Sequence, residues 1–401
     1  MWLSLLRPSL AALSGWLALS GVGHAQTPPS LRDAVDAAWA LSPSARALQH
    51  RQDELDARAR AAASLVSGPP SLSLSHRTDR VGSNGGLREL EAEVSVPLWS
   101  PGVRSATAGQ VAADRAAFAQ QQHAAKMRLA AEVRDLAAQA AIAGIERDVA
   151  RRKLQEALVL AQDIDRRVKV GEVARVDLLQ AQSAQQQAAT AQAAADGALA
   201  RVTAQWRGLT GMAQVAGLDE ATGPAQVHPA IALARAQLGA AQAKLALTEA
   251  DRRDPVEIGL GMTRERSASG AASETAMKIS LRVPFGSDSR NAPKLAAARA
   301  EVSAADGEVQ AALRTADAEQ EVARAELDTA RRAQALAADR ERLAGEIQAL
   351  VAKSWRLGES DLPARLRADG ERFEAELAHA RARVETRRAI SRLNQAFGIL
   401  P

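Results

Sequence analysis

Two stretches of the chain alternate strictly between apolar and polar residues, and each is followed by a very long run with helical spacing. In the first stretch Leu72 and Leu74 alternate with Ser71, Ser73 and Ser75. A turn-rich segment, Gly82 to Gly86, follows. Then Leu90, Ala92, Val94 and Val96 alternate with Glu89, Glu91, Glu93 and Ser95. In the second stretch Val256, Ile258, Leu260 and Met262 alternate with Glu257, Gly259, Gly261 and Thr263. After a loop from Ser267 to Ser273, Met277, Ile279, Leu281 and Val283 alternate with Lys278, Ser280 and Arg282. Period-two patterning with one apolar face predicts β-strands, so each stretch reads as a β-hairpin. Both hairpins close on Val-Pro (Val96-Pro97, Val283-Pro284), where a proline without an N–H is expected to stop the ladder.

The flanking pattern is helical. Ser30 to Asp33 caps a predicted helix carrying Leu31, Val35, Ala38 and Trp39. Ser42-Pro43 interrupts it, and helix resumes to about Leu65. His228-Pro229 opens the matching helix, to about Ala250, with proline in a first turn where no internal bond is lost. The long runs cover about Arg104 to Lys169 and Asn291 to Leu357. At 1.5 Å per residue each spans roughly 100 Å. Gly171 and Gly358 mark turns, and return helices run to about Leu209 and Ala396. The landmarks recur at one offset: 284 − 97, 358 − 171 and 398 − 211 all equal 187. That is far too long for a solenoid repeat, so a whole multi-element unit is duplicated. The predicted organisation is residues 1–25 as a leader, 26–223 as the first repeat with hairpin about 71–98 and tip about 170–177, and 224–401 as the second with hairpin about 256–284 and tip about 357–364.

Composition sharpens this. Only 2% of the 401 residues are aromatic, with no Tyr. Alanine, leucine, arginine, glutamate and glutamine suit long helices rather than a large spherical core. The net charge of +4 is spread along helix faces, without the aromatic-laced basic patch of a nucleic-acid binder. The absence of cysteine excludes disulfides, thiolate metal sites and a lipid-anchoring thiol. Arg7, the apolar stretch Leu10 to Val22 and Gly23-His24-Ala25 predict a secretory signal peptide cleaved before Gln26.

A sheet of two hairpins has open edges and cannot cross a membrane alone, since every backbone group must be paired in lipid. Three protomers could pool twelve strands into a closed barrel, apolar outside and polar inside. Trp99 and Phe285 would sit at its inner rim. A soluble sheet packed on helices gives the same alternation.

The duplicated unit, the two Val-Pro pairs and the segments Val170-Gly171-Glu172-Val173-Ala174-Arg175-Val176-Asp177-Leu178-Leu179 and Leu357-Gly358-Glu359-Ser360-Asp361-Leu362 resemble the TolC-like outer-membrane efflux protein family over about residues 31–401. Compact loops and the lack of a lipid-attachment cysteine look most like its heavy-metal, CzcC-like branch. The resemblance implies a mainly α fold with a small β part: a trimeric twelve-stranded outer-membrane β-barrel continued by a periplasmic α-helical tunnel with coiled-coil packing. It implies a homotrimer in outer-membrane lipid, with a periplasmic adaptor (membrane fusion protein) and an inner-membrane pump of the resistance-nodulation-division type as partners. Val170, Gly171, Glu172, Leu357, Gly358 and Glu359 would form the adaptor-docking tips. Asp177, Trp355 and Asp361 would be tunnel-mouth gate candidates, and Pro97 and Pro284 strand-end prolines. Some members carry carboxylates six and nine residues after the second glycine. Here Ala364 and Arg367 stand there, so an acidic ring is not implied. Asp177 and Asp361 also read as residues of helix starts, where negative charge is favoured.

No enzyme is expected, and no cofactor or resident metal. His50, His76, His123, His228 and His379 form no ligand pair, and no nucleophile elbow or phosphate loop occurs in the required context. Glu89, Glu91 and Glu93 read as a polar lumen wall rather than as glycosidase carboxylates. The expected function is the exit duct of a tripartite efflux system, with heavy-metal cations as cargo. The alternatives are a multidrug or type I secretion duct and, from another class, an exported coiled-coil scaffold.

Overall fold

The computed structural model describes residues 29–285 and 288–401, and the expected leader lies outside them. The first half comprises α1 (Leu31–Leu41), α2 (Pro43–Ala62), β1 (Ser71–Thr78), β2 (Arg88–Leu98), α3 (Val103–Lys169) and α4 (Arg175–Thr210). The second comprises α5 (Pro229–Ala250), β3 (Val256–Arg266), β4 (Glu274–Arg282), α6 (Asp288–Arg356) and α7 (Leu362–Ala396). Helix α4 starts 362 − 175 = 187 residues before α7, and α3 ends 356 − 169 = 187 residues before α6. Glycines with left-handed backbone share the spacing, Gly171 with Gly358 and Gly211 with Gly398. Such residues end helices because only glycine adopts positive φ without a Cβ clash.

Helix α1 is fixed at its start by a capping box. The Asp33 amide donates to Ser30 Oγ (3.2 Å), and the Ser30 amide donates to Asp33 Oδ2 (3.1 Å). Its buried face, Leu31, Ala34, Val35 and Ala38, packs on Ala130, Val133, Ala137 and Ala138 of α3, with Trp206, Leu218 and Val384. Alanines along α3 let its neighbours approach closely, because interaxial distance is set by the side chains at the contact. Trp206 is fully buried, and its Nε1–H donates to the Gln214 carbonyl at 3.0 Å.

This girdle lies at mid-height of the long helices and holds the chain segment between the repeats. Asn394 donates to the Ala221 carbonyl (2.9 Å) and accepts from the Gly223 amide (3.2 Å). Arg134, only 4% exposed, forks onto Glu220 at 3.0 and 2.6 Å and donates to Gln395 Oε1 (2.6 Å) and the Ile399 carbonyl (2.9 Å). Farther along, α3 of one repeat is tied to α7 of the other by Asp135–Arg388 (2.7 Å), Glu146–Arg381 (3.1 Å), Arg152–Glu376 and Glu156–Arg372.

The strands form one antiparallel sheet in the order β1-β2-β3-β4. The two hairpins therefore join through β2 and β3, with Leu98 opposite Val256 and Arg88 opposite Arg266. Every strand end that leads to a helix lies at one end of the sheet, and both hairpin loops lie at the other. The loops touch there: the Ser269 amide donates to the Gly85 carbonyl at 2.9 Å. Gly86, at φ 94°, must be glycine, since a Cβ would stand 2.4 Å from the Ser269 nitrogen.

The two prolines behave differently from each other. The ladder does not stop at Pro97: β2 runs through it to Leu98, and Pro97 stands opposite Glu257. The Pro97 carbonyl accepts from the Ser67 amide (3.1 Å), so its nitrogen also faces the β1 side, beyond the first pair Ser71–Ser95. The missing N–H removes no bond to β3. In the second repeat β4 ends at Arg282, ahead of Val283-Pro284.

Candidate functional site: the sheet wall and the helical tips

The sheet sorts its side chains by chemistry. On one face lie Leu72, Leu74, Leu90, Val94, Ile258, Leu260, Met262, Met277, Ile279 and Leu281, all exposed, with Leu72 at 65% and Ile279 at 81%. Nothing among the described residues covers them. The other face carries Ser71, Ser73 and Ser75 of β1, Glu89, Glu91, Glu93 and Ser95 of β2, and Lys278, Ser280 and Arg282 of β4. Between them β3 contributes Gly259 and Gly261, over which the longer side chains reach. Lys278 Nζ lies 2.6 Å from Glu91 and 3.3 Å from Glu93, and Ser280 hydrogen-bonds Glu93. A Cβ on Gly259 would fall 2.2 Å from both Glu93 Oε1 and Ser280 Oγ. Small residues on the polar side and Ile258, Leu260 and Met262 on the other suit a wall that is concave on its polar face. Both outer edges, of β1 and β4, lack a partner among the described residues. A wide, exposed apolar face of this kind marks a contact with lipid or protein.

At the far end of the helices the two turns are built alike. The Gly171 amide donates to the Val168 carbonyl (3.0 Å) and the Glu172 amide to Arg167 (2.9 Å). The Gly358 amide donates to Trp355 (3.1 Å) and the Glu359 amide to Ser354 (2.9 Å). This is the Schellman pattern that satisfies the last carbonyls of a helix. Each tip presents an exposed aliphatic residue (Val170, Leu357), the glycine, and an exposed carboxylate (Glu172, Glu359). Ala161, Ile164, Ala181 and Leu362 form the buried cluster behind them, joined by Val173, Leu178, Trp355 and Leu366, so the two tips share one small core. Trp355 is half-buried in it.

The acidic gate candidates occupy different places. Asp361 is the N-cap of α7, its carboxylate accepting from the Ala364 amide at 2.9 Å. Its counterpart at the start of α4 is Ala174, which offers no side-chain cap. That helix instead carries Asp177 in its first turn, half-buried and without an ion pair among the described residues. A further carboxylate near the tips, Asp369, escaped the sequence pattern. It accepts from Gln348 (2.8 Å) of α6 and from Arg365 (2.8 Å) of its own helix. Among the described residues no group of His, Asp or Glu could hold a metal ion, and no helix is long and apolar enough to cross a membrane.

No family model matches the chain. Protein CyaE of Bordetella pertussis is 31% identical over 318 residues, covering 68% of this chain and 64% of CyaE, so the match spans a little under two thirds of that relative. Solved structures match more widely at lower identity. A membrane protein from Pseudomonas aeruginosa has TM-score 0.73 at 19% identity, covering 99% of this chain and 96% of its own. The outer membrane protein VceC of Vibrio cholerae has 0.71 at 15%, covering 92% and 96%. CusC, whose transmembrane channel formation has been described, has 0.75 at 14%, covering 99% of both chains. The fold is therefore that of an outer-membrane channel protomer. More particularly it is the TolC-like channel fold that the duplicated unit and its motifs resemble. Its structural neighbours are channels rather than enzymes.

Proposed function

We propose that the protein is the outer-membrane exit duct of a tripartite efflux system, exported by a cleaved leader and assembled as a homotrimer. The observation that carries this is the four-stranded sheet with a largely exposed apolar face and two edges open among the described residues, mounted on helices of about 100 Å. Three copies close the edges into twelve strands and give each backbone group a partner in lipid. The long helices then form the periplasmic tunnel. The exposed aliphatic-Gly-Glu tips at Gly171 and Gly358 dock a periplasmic adaptor linked to an inner-membrane pump of the resistance-nodulation-division type.

Metal cations are the cargo this reading favours. On the polar face Glu89, Glu91, Glu93, Glu257, Glu265 and Glu274 outnumber Arg77, Lys278 and Arg282. A lumen with surplus negative charge passes cations more readily than anions. No tight site is required, because a duct that binds its cargo strongly slows transit. Membrane fractionation with crosslinking tests the assembly: a trimer in the outer membrane is expected, and a monomeric soluble product would sink the proposal. Sensitivity of a deletion strain to zinc, cobalt and copper, compared with drugs and with secreted protein yield, tests the cargo.

A further inference from the structure

The apolar face of the sheet does not stay apolar to its loop end. Above Leu90 and Met262 the same face turns basic, with Arg88 on β2 and Arg264 and Arg266 on β3. Arg88 stands directly opposite Arg266, and Arg264 lies one pleat below. Like charges placed opposite each other across a ladder repel, so a cluster of this kind calls for counter-charge.

The described residues supply none. Arg88 and Arg264 are exposed and make no ion pair among the described residues. Among the described residues Arg266 reaches only the Gly86 carbonyl (3.4 Å), and its Nε is buried without a partner there. Glu89, Glu265 and Glu274 at this height point to the opposite face. The carboxylate of Asp79, in the adjacent loop, is committed to Ser83 Oγ (3.0 Å) and the Gly86 amide (3.1 Å).

We infer that Arg88, Arg264 and Arg266 form an outward-facing site for phosphorylated lipid headgroups at the outer-leaflet boundary. The inference rests on the duct reading and adds a lipid partner to it. Height supports the assignment. From Val256 to Arg264 the strand rises about 27 Å at 3.4 Å per residue, or about 21 Å along the normal at a tilt near 40°. That lifts the guanidinium groups to the edge of an apolar band about 25 Å tall, where charge is tolerated. Chemistry supports it too, since the guanidinium fork matches phosphate oxygens in paired hydrogen bonds.

The test uses the full-length trimer, titrated with bisphosphorylated lipid A, with dephosphorylated lipid A and with inorganic phosphate, and read by native mass spectrometry. Binding of the phosphorylated lipid alone is expected. Each of Arg88→Gln, Arg264→Gln and Arg266→Gln should weaken it about fivefold, and the triple variant about a hundredfold. Lys278→Gln, on the other face, should bind as the parent does. The single variants keep the test decisive if the triple variant fails to fold. Equal binding by all variants, equal binding of the dephosphorylated lipid, or displacement by inorganic phosphate would each overturn the proposal. Carbonate extraction of the parent protein from vesicles would instead bring down the duct reading beneath it.

Discussion

Arg134 is the residue whose loss should be felt most sharply. Its guanidinium is buried, forked onto Glu220 and bonded to Gln395 and the Ile399 carbonyl, so it joins α3, the segment between the repeats and the C-terminal residues. Arg134→Ala leaves the nearly buried Glu220 carboxylate without its counter-charge. Removing one member of a buried ion pair costs about 3–5 kcal/mol. At about 1.4 kcal/mol per tenfold, amide protection in residues 211–228 and 397–401 should fall by about two to four orders of magnitude. Hydrogen exchange by mass spectrometry reads both segments. The paired variant Arg134→Met with Glu220→Leu should recover most of the loss, because a buried pair exchanged for apolar groups is often neutral. The counterpart of Arg134 in the second repeat is Glu321, which is exposed. Its change to alanine should stay within about 0.5 kcal/mol. Unchanged protection in Arg134→Ala, or an equal loss in Glu321→Ala, would refute the reasoning.

Other sites give smaller, local effects. Gly171→Ala and Gly358→Ala force an L-residue into positive φ and should each destabilise their turn by about 1 kcal/mol, seen as faster exchange at the tip amides. Asp361→Ala removes the cap of α7 and should weaken its first turn by about 1 kcal/mol without changing bilayer conductance. Asp177→Ala breaks no cap bond and should raise conductance, and the opposite assignment of conductance effects would place the gate at the second tip. The Ser30 hydroxyl and amide hold the Asp33 carboxyl below the ordinary aspartate range. A depressed folded value gives stability that is present above the unfolded pKa and lost as pH falls through the folded one. Protection of α1 should therefore decline in acid, and Asp33→Asn should abolish that dependence.

Local features were legible in the sequence because short-range physics specifies them. The hairpin loop from Ser267 to Ser273 fills the gap between β3 and β4, and the turn glycines fall where positive φ is required. The role of Asp361 as a cap was also within reach, since an acid followed by Leu362 and Pro363 marks a helix start. Pro97 was misplaced because its effect depends on which neighbour its nitrogen faces, and that is decided by pairing with Ser67 and Glu257. The Arg134 site was invisible for a related reason. Its partners lie 86, 261 and 265 residues away, and nothing along α3 separates a buried arginine from the many solvated ones. The ion pairs between α3 and α7 were hidden in the same way among interspersed surface charge.

The two copies have diverged where they meet. Glu91 and Lys278 occupy equivalent positions 187 residues apart and bind each other across β3, and Glu93 does the same with Ser280. Had both copies kept glutamate, like charges would face each other over Gly259 and Gly261 in the crowded polar wall. Had both kept lysine, the same conflict would arise with the sign reversed. Duplication supplies two hairpins that fit one sheet, and divergence makes their inner faces complementary. The same logic extends to the proposed trimer. There β4, with Lys278 and Arg282, would meet β1 of the next protomer, whose polar face is mostly Ser71, Ser73 and Ser75. Hydroxyls accept hydrogen bonds from a neighbouring ammonium or guanidinium without requiring an opposite charge. In that trimer the intramolecular joint would be matched by charge and the intermolecular one by neutral polar groups.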